Sequence, residues 1–174
     1  MSEVHKLLEQ LPQIGRLEWI GLSAARMAPI QPVPGAELII GHGVKGDHHA
    51  KSKFGSKRQV TILQAEHLAA VGSYLGRPPV TPDLLRRNLV VSGLNLLAFK
   101  GKTFCIGECL LEFTGPCDPC SRMEDNLGPG GFNAMRGHGG ITAKVLRGGI
   151  IEIGDVVRDM SRQLTDDPEA ATSA

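Results

Sequence analysis

Ile14-Gly15-Arg16-Leu17-Glu18-Trp19-Ile20-Gly21-Leu22-Ser23 puts Leu17 and Trp19 on one side of the chain and Arg16 and Glu18 on the other. A period of two is the mark of a half-buried strand, so this stretch predicts β structure. Downstream, Pro29, Pro32, Pro34 and Gly35 force a loop. Short apolar runs then follow at Glu37 to Ile40, Val60 to Leu63, Leu89 to Ser92, Lys102 to Ile106, Leu110 to Thr114, Thr142 to Leu146 and Ile150 to Ile153, nearly all punctuated by Gly, Pro or Asn. This spacing predicts a mainly β, barrel-like fold with a few short helices. Helical periodicity is confined to Gln64 to Tyr74, where Ala65, Leu68, Ala69 and Val71 recur, and to Pro82 to Arg86. At the N-terminus, Ser2 caps a short run with Leu7, Leu8 and Leu11 on one face, stopped by Pro12, which reads as a lid or a surface turn. The chain thus divides into an N-terminal helix or extension at 1–13, one domain at 14–159, and a polar tail at 160–174, expected to be disordered.

A chain of 174 residues fits one domain. Nineteen basic against 18 acidic residues leave +1, with no basic footprint for nucleic acid or an anionic membrane. Five Phe, one Trp and one Tyr are too few for the stacking platforms of single-strand binders. No apolar run approaches the ~20 residues of a membrane span, and the first residues carry no export signal, so a cytoplasmic location is expected. Glycine and proline make up about a fifth of the chain, against a usual ~12%, which means many tight turns.

Several motifs fail on context. Gly41-His42-Gly43-Val44-Lys45-Gly46 matches G-x-G-x-x-G after a strand, with Glu66 as the possible ribose acid. The segment after it, however, lacks the apolar face of a helix that would receive a pyrophosphate. Gly101-Lys102-Thr103 ends like a P-loop, but Leu96 stands where its first glycine belongs. His48 and His49 point to opposite faces if the chain there is extended, so they read as solvated loop residues rather than a metal pair. His67 reads as a surface or packing residue. His138 lies among Gly137, Gly139 and Gly140, a setting that can present amides to an anion.

The four cysteines have the spacing C-x3-C-x7-C-x2-C. Zinc knuckles seat each pair of ligands on a turn, whereas Cys105 and Cys109 end two apolar strands, where a thiol acts as a small hydrophobe. Cys117-Asp118-Pro119-Cys120 lacks the βαβ setting of a thioredoxin-type pair. Pro119 suits the first position of a helix through Leu127. That would put Cys120 in the first turn, where free N–H groups and Arg122 favour thiolate. Two readings stay open for Cys120: an activated thiol, acting as nucleophile or soft-metal ligand, or a packing cysteine at a turn.

Five segments occur in order: Gly43-Val44-Lys45-Gly46-Asp47, Arg58-Gln59-Val60-Thr61-Ile62-Leu63, Arg86-Arg87-Asn88-Leu89-Val90-Val91-Ser92-Gly93, Pro119-Cys120 with Arg122, and Gly148-Gly149-Ile150-Ile151-Glu152-Ile153-Gly154-Asp155-Val156-Val157. Together they resemble the MOSC domain, named for the C-terminal domain of molybdenum cofactor sulfurase, over about residues 15 to 158. The resemblance implies a barrel-like fold and a cleft for the molybdenum cofactor (molybdopterin) or a related pterin, and it admits a pyridoxal phosphate association. It also implies one cysteine that ligates molybdenum or carries a persulfide, and by motif position this is Cys120. Cys117 stands where relatives with a lone Pro-Cys carry a basic residue, which leaves open a regulatory disulfide or a resolving thiol as its role.

An anionic phosphate calls for cations at turns and strand ends, and Lys57, Arg58, Arg86, Arg87, Arg122 and Arg136 are so placed. Two or three of the six are expected to touch ligand. The favoured pair is Arg87 and Asn88, where a helix gives way to a strand at a barrel mouth. The cofactor-binding set expected is therefore Lys57, Arg58, Arg87, Asn88, Arg122 and His138. Gly128-Pro129-Gly130-Gly131 and Gly137 to Gly140 read as a mobile lid or a plain loop. Three functions follow from the resemblance: reduction of N-hydroxylated compounds at a Cys120-ligated molybdenum centre, persulfide transfer to metal–sulfur centres, or cofactor binding without turnover. The partners implied are the pterin and an electron-transfer protein or a cysteine desulfurase.

Overall fold

The computed structural model describes residues 2–51 and 53–161. Eleven strands are described: β1 (Gly15–Leu22), β2 (Gln31–Pro32), β3 (Gly35–Ile39), β4 (Gly43–Val44), β5 (Val60–Gln64), β6 (Leu89–Ser92), β7 (Thr103–Ile106), β8 (Cys109–Pro116), β9 (Ile141–Arg147), β10 (Gly149–Glu152) and β11 (Val156–Asp159). Seven of them run β11-β7-β8-β9-β5-β6-β1, and a β1–β11 pairing closes the ring into a barrel. All its pairs are antiparallel except β5–β6. β2 adds to β1 outside the ring, and β10, β3 and β4 form a separate three-stranded sheet.

Side-chain alternation divides the apolar residues between two cores. Leu17, Ile62, Leu89, Val91, Phe104 and Leu111 pack inside the barrel. Leu63 and Val90, one step along the same strands, face outward onto Val71, Leu85, Met123, Leu127 and Met135. β5 and β6 are buried on both faces, which is why they read as continuous apolar runs. Inside the barrel, Phe99 and Phe104 stack with ring centroids 4.4 Å apart.

The outer core is roofed by α2 (Glu66–Tyr74), α3 (Pro82–Leu85), α4 (Arg122–Leu127) and α5 (Gly131–Met135), and α1 (Glu3–Leu8) lies on the surface with no buried residue. Ser2 caps α1 by accepting from the His5 N–H, as expected. Among the described residues no helix is long and apolar enough to cross a membrane.

Three expectations need correction. Leu17 and Trp19 do not share a face. The β1–β6 register shifts between them, and this bulge at Glu18 turns Leu17 into the barrel and Trp19 onto the outer core. Between the two glycine runs read as a lid or loop lies a helix, α5, which begins at Gly131. Pro119 is not the first residue of a helix, since α4 starts at Arg122 behind Ser121. From residue 162 on, the predicted tail lies outside the described residues.

Candidate functional site

At one end of the barrel, four connections meet around a cleft of about 280 Å³: the β1–β2 loop, the β4–β5 loop, the α3–β6 junction and the segment before α4. Five guanidinium groups line it, those of Arg26, Arg58, Arg86, Arg87 and Arg122, against a single carboxylate, Asp47. The groove of about 360 Å³ beside α1 is lined instead by Glu9, Gln10, Leu11, Pro12 and Asp159. A cleft with this charge imbalance is built for an oxygen-rich anion.

The floor is a hydrogen-bonded network. Asn88 is buried: its Oδ1 accepts from the Thr61 N–H and hydroxyl, and its Nδ2 donates to Asp47 Oδ2 at 3.1 Å. Arg87 is 4% exposed and donates to three backbone carbonyls: Gly139 at 2.8 Å, Leu85 at 2.7 Å and Cys117 at 3.3 Å. Burial pushes its ionisation down, and the Cys117 sulfur opposes this. The favoured Arg87–Asn88 pair is thus committed largely to holding the cleft together.

Arg86 caps α3 in the left-handed conformation (φ 55°), the one non-glycine residue so placed among those described. It staples the β1–β2 loop through the carbonyls of Ala28 and Arg26. Its ionisation is pushed down by burial and by the charge of Arg122.

Asp47 is 2% exposed and accepts from the backbone N–H of Ser23, the backbone N–H and ring Nδ1 of His49, and the Asn88 amide. Burial works against its charge, but these donors hold the carboxyl below its ordinary range. His48–Lys51 form a 3₁₀ turn rather than an extended chain, so the expectation of opposite-facing, solvated histidines fails. The two rings lie side by side, centroids 3.9 Å apart, and both line the cleft.

Cys120 is exposed and lines the cleft just before α4, with its carbonyl accepting from the Met123 N–H. Cys117 is buried; its Sγ accepts from Arg58 at 3.4 Å and its N–H donates to the Gly140 carbonyl. In the β7–β8 hairpin Cys105 pairs with Leu110 and Cys109 with Ile106; both thiols are buried hydrophobes, and burial pushes that of Cys109 up. All four cysteines are free, and among the described residues no four-sulfur cluster exists. Gly41 to Gly46 turn β3 into β4 and lead to the 3₁₀ turn, not an α-helix, in line with the failed dinucleotide motif.

Of the six basic candidates, Arg58, Arg86, Arg87 and Arg122 line the cleft. Lys57 and Arg136 are exposed and do not, and Lys57 meets Thr114 through its carbonyl. His138 is also absent from the cleft. Its ring packs on His67 and Tyr74 at 4.5 and 5.2 Å, and the Nδ1 atoms of both histidines lack a partner among the described residues. Sequence reasoning missed Arg26 and gave Asp47, His48 and His49 no role.

The His67–His138 contact has a pH consequence. Burial, and then the neighbouring His138, push His67 below its ordinary value, with Glu66 and the His138 backbone opposing. A histidine depressed by folding contributes stability that is complete above about pH 6.5 and is lost as pH falls through the folded value. The stability difference between the protein and His67→Gln is expected to shrink between about pH 7 and pH 5 in urea unfolding. A difference that stays constant over that range contradicts this.

A MOSC domain model matches residues 49–158. No curated protein matches the sequence. Among solved structures, YuaD from Bacillus subtilis is 20% identical with a TM-score of 0.72, covering 85% of this chain and 97% of that one. YiiM from Geobacillus stearothermophilus is 19% identical with a TM-score of 0.66, covering 85% and 76%. YiiM from Escherichia coli is 20% identical with a TM-score of 0.64, covering 84% and 70%. At these identities the likeness is one of fold.

Proposed function

The chain belongs to the MOSC domain family, and from that membership we propose that the arginine cleft binds the molybdenum cofactor, with Cys120 as the sulfur on molybdenum, for the reduction of N-hydroxylated compounds. The observation that carries the reading is the meeting of an exposed thiol and five guanidinium groups in one cleft. The donor set fits the group chemically: a thiolate suits a soft metal centre, and guanidinium forks suit a terminal phosphate. A volume of about 280 Å³ is at the lower edge of ligand pockets, which suits partial enclosure with Arg26 and Arg58 at an open rim.

When bound, the cofactor supplies the two-electron chemistry that these side chains lack. Arg58, Arg86 and Arg122 offer donors to its anionic end. Arg87, Asn88 and Asp47 keep those donors in place from below. Met123 and Ile30 are the apolar residues against which a flat ring system can rest.

Protein purified from a molybdate-replete host is expected to carry molybdenum and a fluorescent pterin in near equal amounts. Cys120→Ser is expected to lower the molybdenum content by about tenfold or more, the usual effect of weakening a metal's ligand shell. Wild-type protein without molybdenum or pterin, or a Cys120→Ser variant with undiminished metal, overturns the reading. The exposure of Cys120 supports a second reading, persulfide carriage. In that case metal-free protein releases thiocyanate on cyanide treatment. Loaded protein that never reduces N-hydroxylated compounds with a suitable electron donor is a binding module only.

A further inference from the structure

We propose that His48 and His49 form a proton-linked oxyanion subsite within the arginine cleft, the imidazoles taking up protons as a phosphate- or sulfate-like group binds.

The argument starts from the inner ring nitrogens. His48 Nδ1 lies 3.1 Å from the Ser23 carbonyl and His49 Nδ1 lies 2.8 Å from Asp47 Oδ1. Both partners can only accept, Asp47 being held ionised, so both Nδ1 atoms carry the hydrogen. In the neutral rings Nε2 is then a bare lone pair. Neither Nε2 has a protein partner among the described residues, and both residues line the cleft.

A lone pair does not hold an anion, whereas a protonated Nε2 donates to one. Of the cleft's arginines, Arg86 at the α3–β6 junction opposes protonation of His48, and Arg87, Arg26, Arg58 and Arg122 line the same cleft. Burial, then His49, push His48 below its ordinary value, and Asp47 and the Ser23 carbonyl only partly offset this. A bound oxyanion reverses the sign of that field, so binding and protonation assist each other. The same cluster is a poor cation site. The ligand atoms of Asp47, His48 and His49 lie within 4.8 Å of one another, but the carboxylate already accepts from four donors and shares the cleft with five guanidinium groups.

The anion can belong to the bound cofactor or be a free oxyanion, and the subsite stands whether or not the cofactor reading does. The test uses inorganic sulfate, which does not titrate near neutral pH, on cofactor-free protein in two buffers of different ionisation heat. Calorimetry is expected to show proton uptake on binding, with affinity about ten- to a hundredfold higher at pH 6 than at pH 8. His48→Gln/His49→Gln is expected to bind weakly with an affinity independent of pH, while His67→Gln, whose ring lies outside the cleft, still takes up protons. The proposal is overturned if wild-type protein binds sulfate without proton uptake or does not bind it. It is also overturned if uptake survives in the double variant or disappears in His67→Gln. If cofactor-loaded protein no longer takes up sulfate, the occupant is the cofactor's own phosphate; continued binding assigns the subsite to a free oxyanion. Protein that lacks molybdenum and pterin yet shows proton-linked sulfate binding removes the cofactor reading and leaves this one standing.

Discussion

Arg87→Ala is expected to destabilise the protein by about 3–5 kcal/mol, because it strips charged donors from three buried carbonyls at once. The guanidinium is 4% exposed, and its partners lie on the end of α3 (Leu85), the segment before α4 (Cys117) and the loop before β9 (Gly139). Each hydrogen bond to a charged group contributes roughly 1.5–3 kcal/mol, and each carbonyl left dry adds a desolvation penalty, so even with relaxation the sum is large. Arg87→Lys is expected to recover only part of the loss, since an ammonium cannot reproduce a planar fork aimed at three directions. Arg122→Ala makes the contrast. That residue is only half-buried and its contacts are a 3.5 Å carbonyl and a methionine sulfur. Its removal is expected to change stability by no more than about 0.5 kcal/mol while weakening anion binding. Urea unfolding of both variants checks the pair; an Arg87→Ala loss below about 1 kcal/mol would show that the three carbonyls find other donors.

This division between scaffold and ligand arginines marks where the sequence stops being informative. The barrel was legible because most of its strands, the doubly buried β5 and β6 among them, stand out as short apolar runs between turn residues. The two-residue strands β2 and β4 are too short to show a period, and α5 is hidden because its Gly131 and the preceding Gly128-Pro129-Gly130 read as turn. Within the site, Cys120 and Arg58 could be picked out by residue type and local context. Asp47, His48 and His49 could not, because their convergence depends on a 3₁₀ turn that carries no apolar signature. Arg26 sits in a proline-bounded loop whose path is set by Arg86, a residue sixty positions away. His138 has the glycine neighbours of an anion-binding turn, yet its ring faces His67 and Tyr74, a contact that only the placement of α2 creates.

The loop carrying His138 is also where one methyl group is expected to do the most harm. Gly140 has φ 82°, a conformation that costs an L-residue roughly 1–2 kcal/mol. A Cβ there would sit 2.0 Å from the Ile62 carbonyl oxygen and 2.9 Å from its carbon. Those atoms belong to β5, paired through Ile62 with Ile141 of β9, so the backbone cannot yield without breaking the ring of strands. Gly140→Ala is therefore expected to cost more than about 4 kcal/mol, at the exceptional end for a single substitution, or to prevent folding. Gly137→Ala separates the two contributions. Its φ is 77°, but nothing lies within 4 Å of the added carbon, so only the conformational strain of roughly 1–2 kcal/mol remains. Comparable unfolding midpoints for the two variants would contradict the close approach to β5. Because the Gly140 carbonyl holds the Cys117 N–H and the Gly139 carbonyl holds Arg87, any Gly140→Ala protein that does fold is expected to lose sulfate affinity, while Gly137→Ala keeps it.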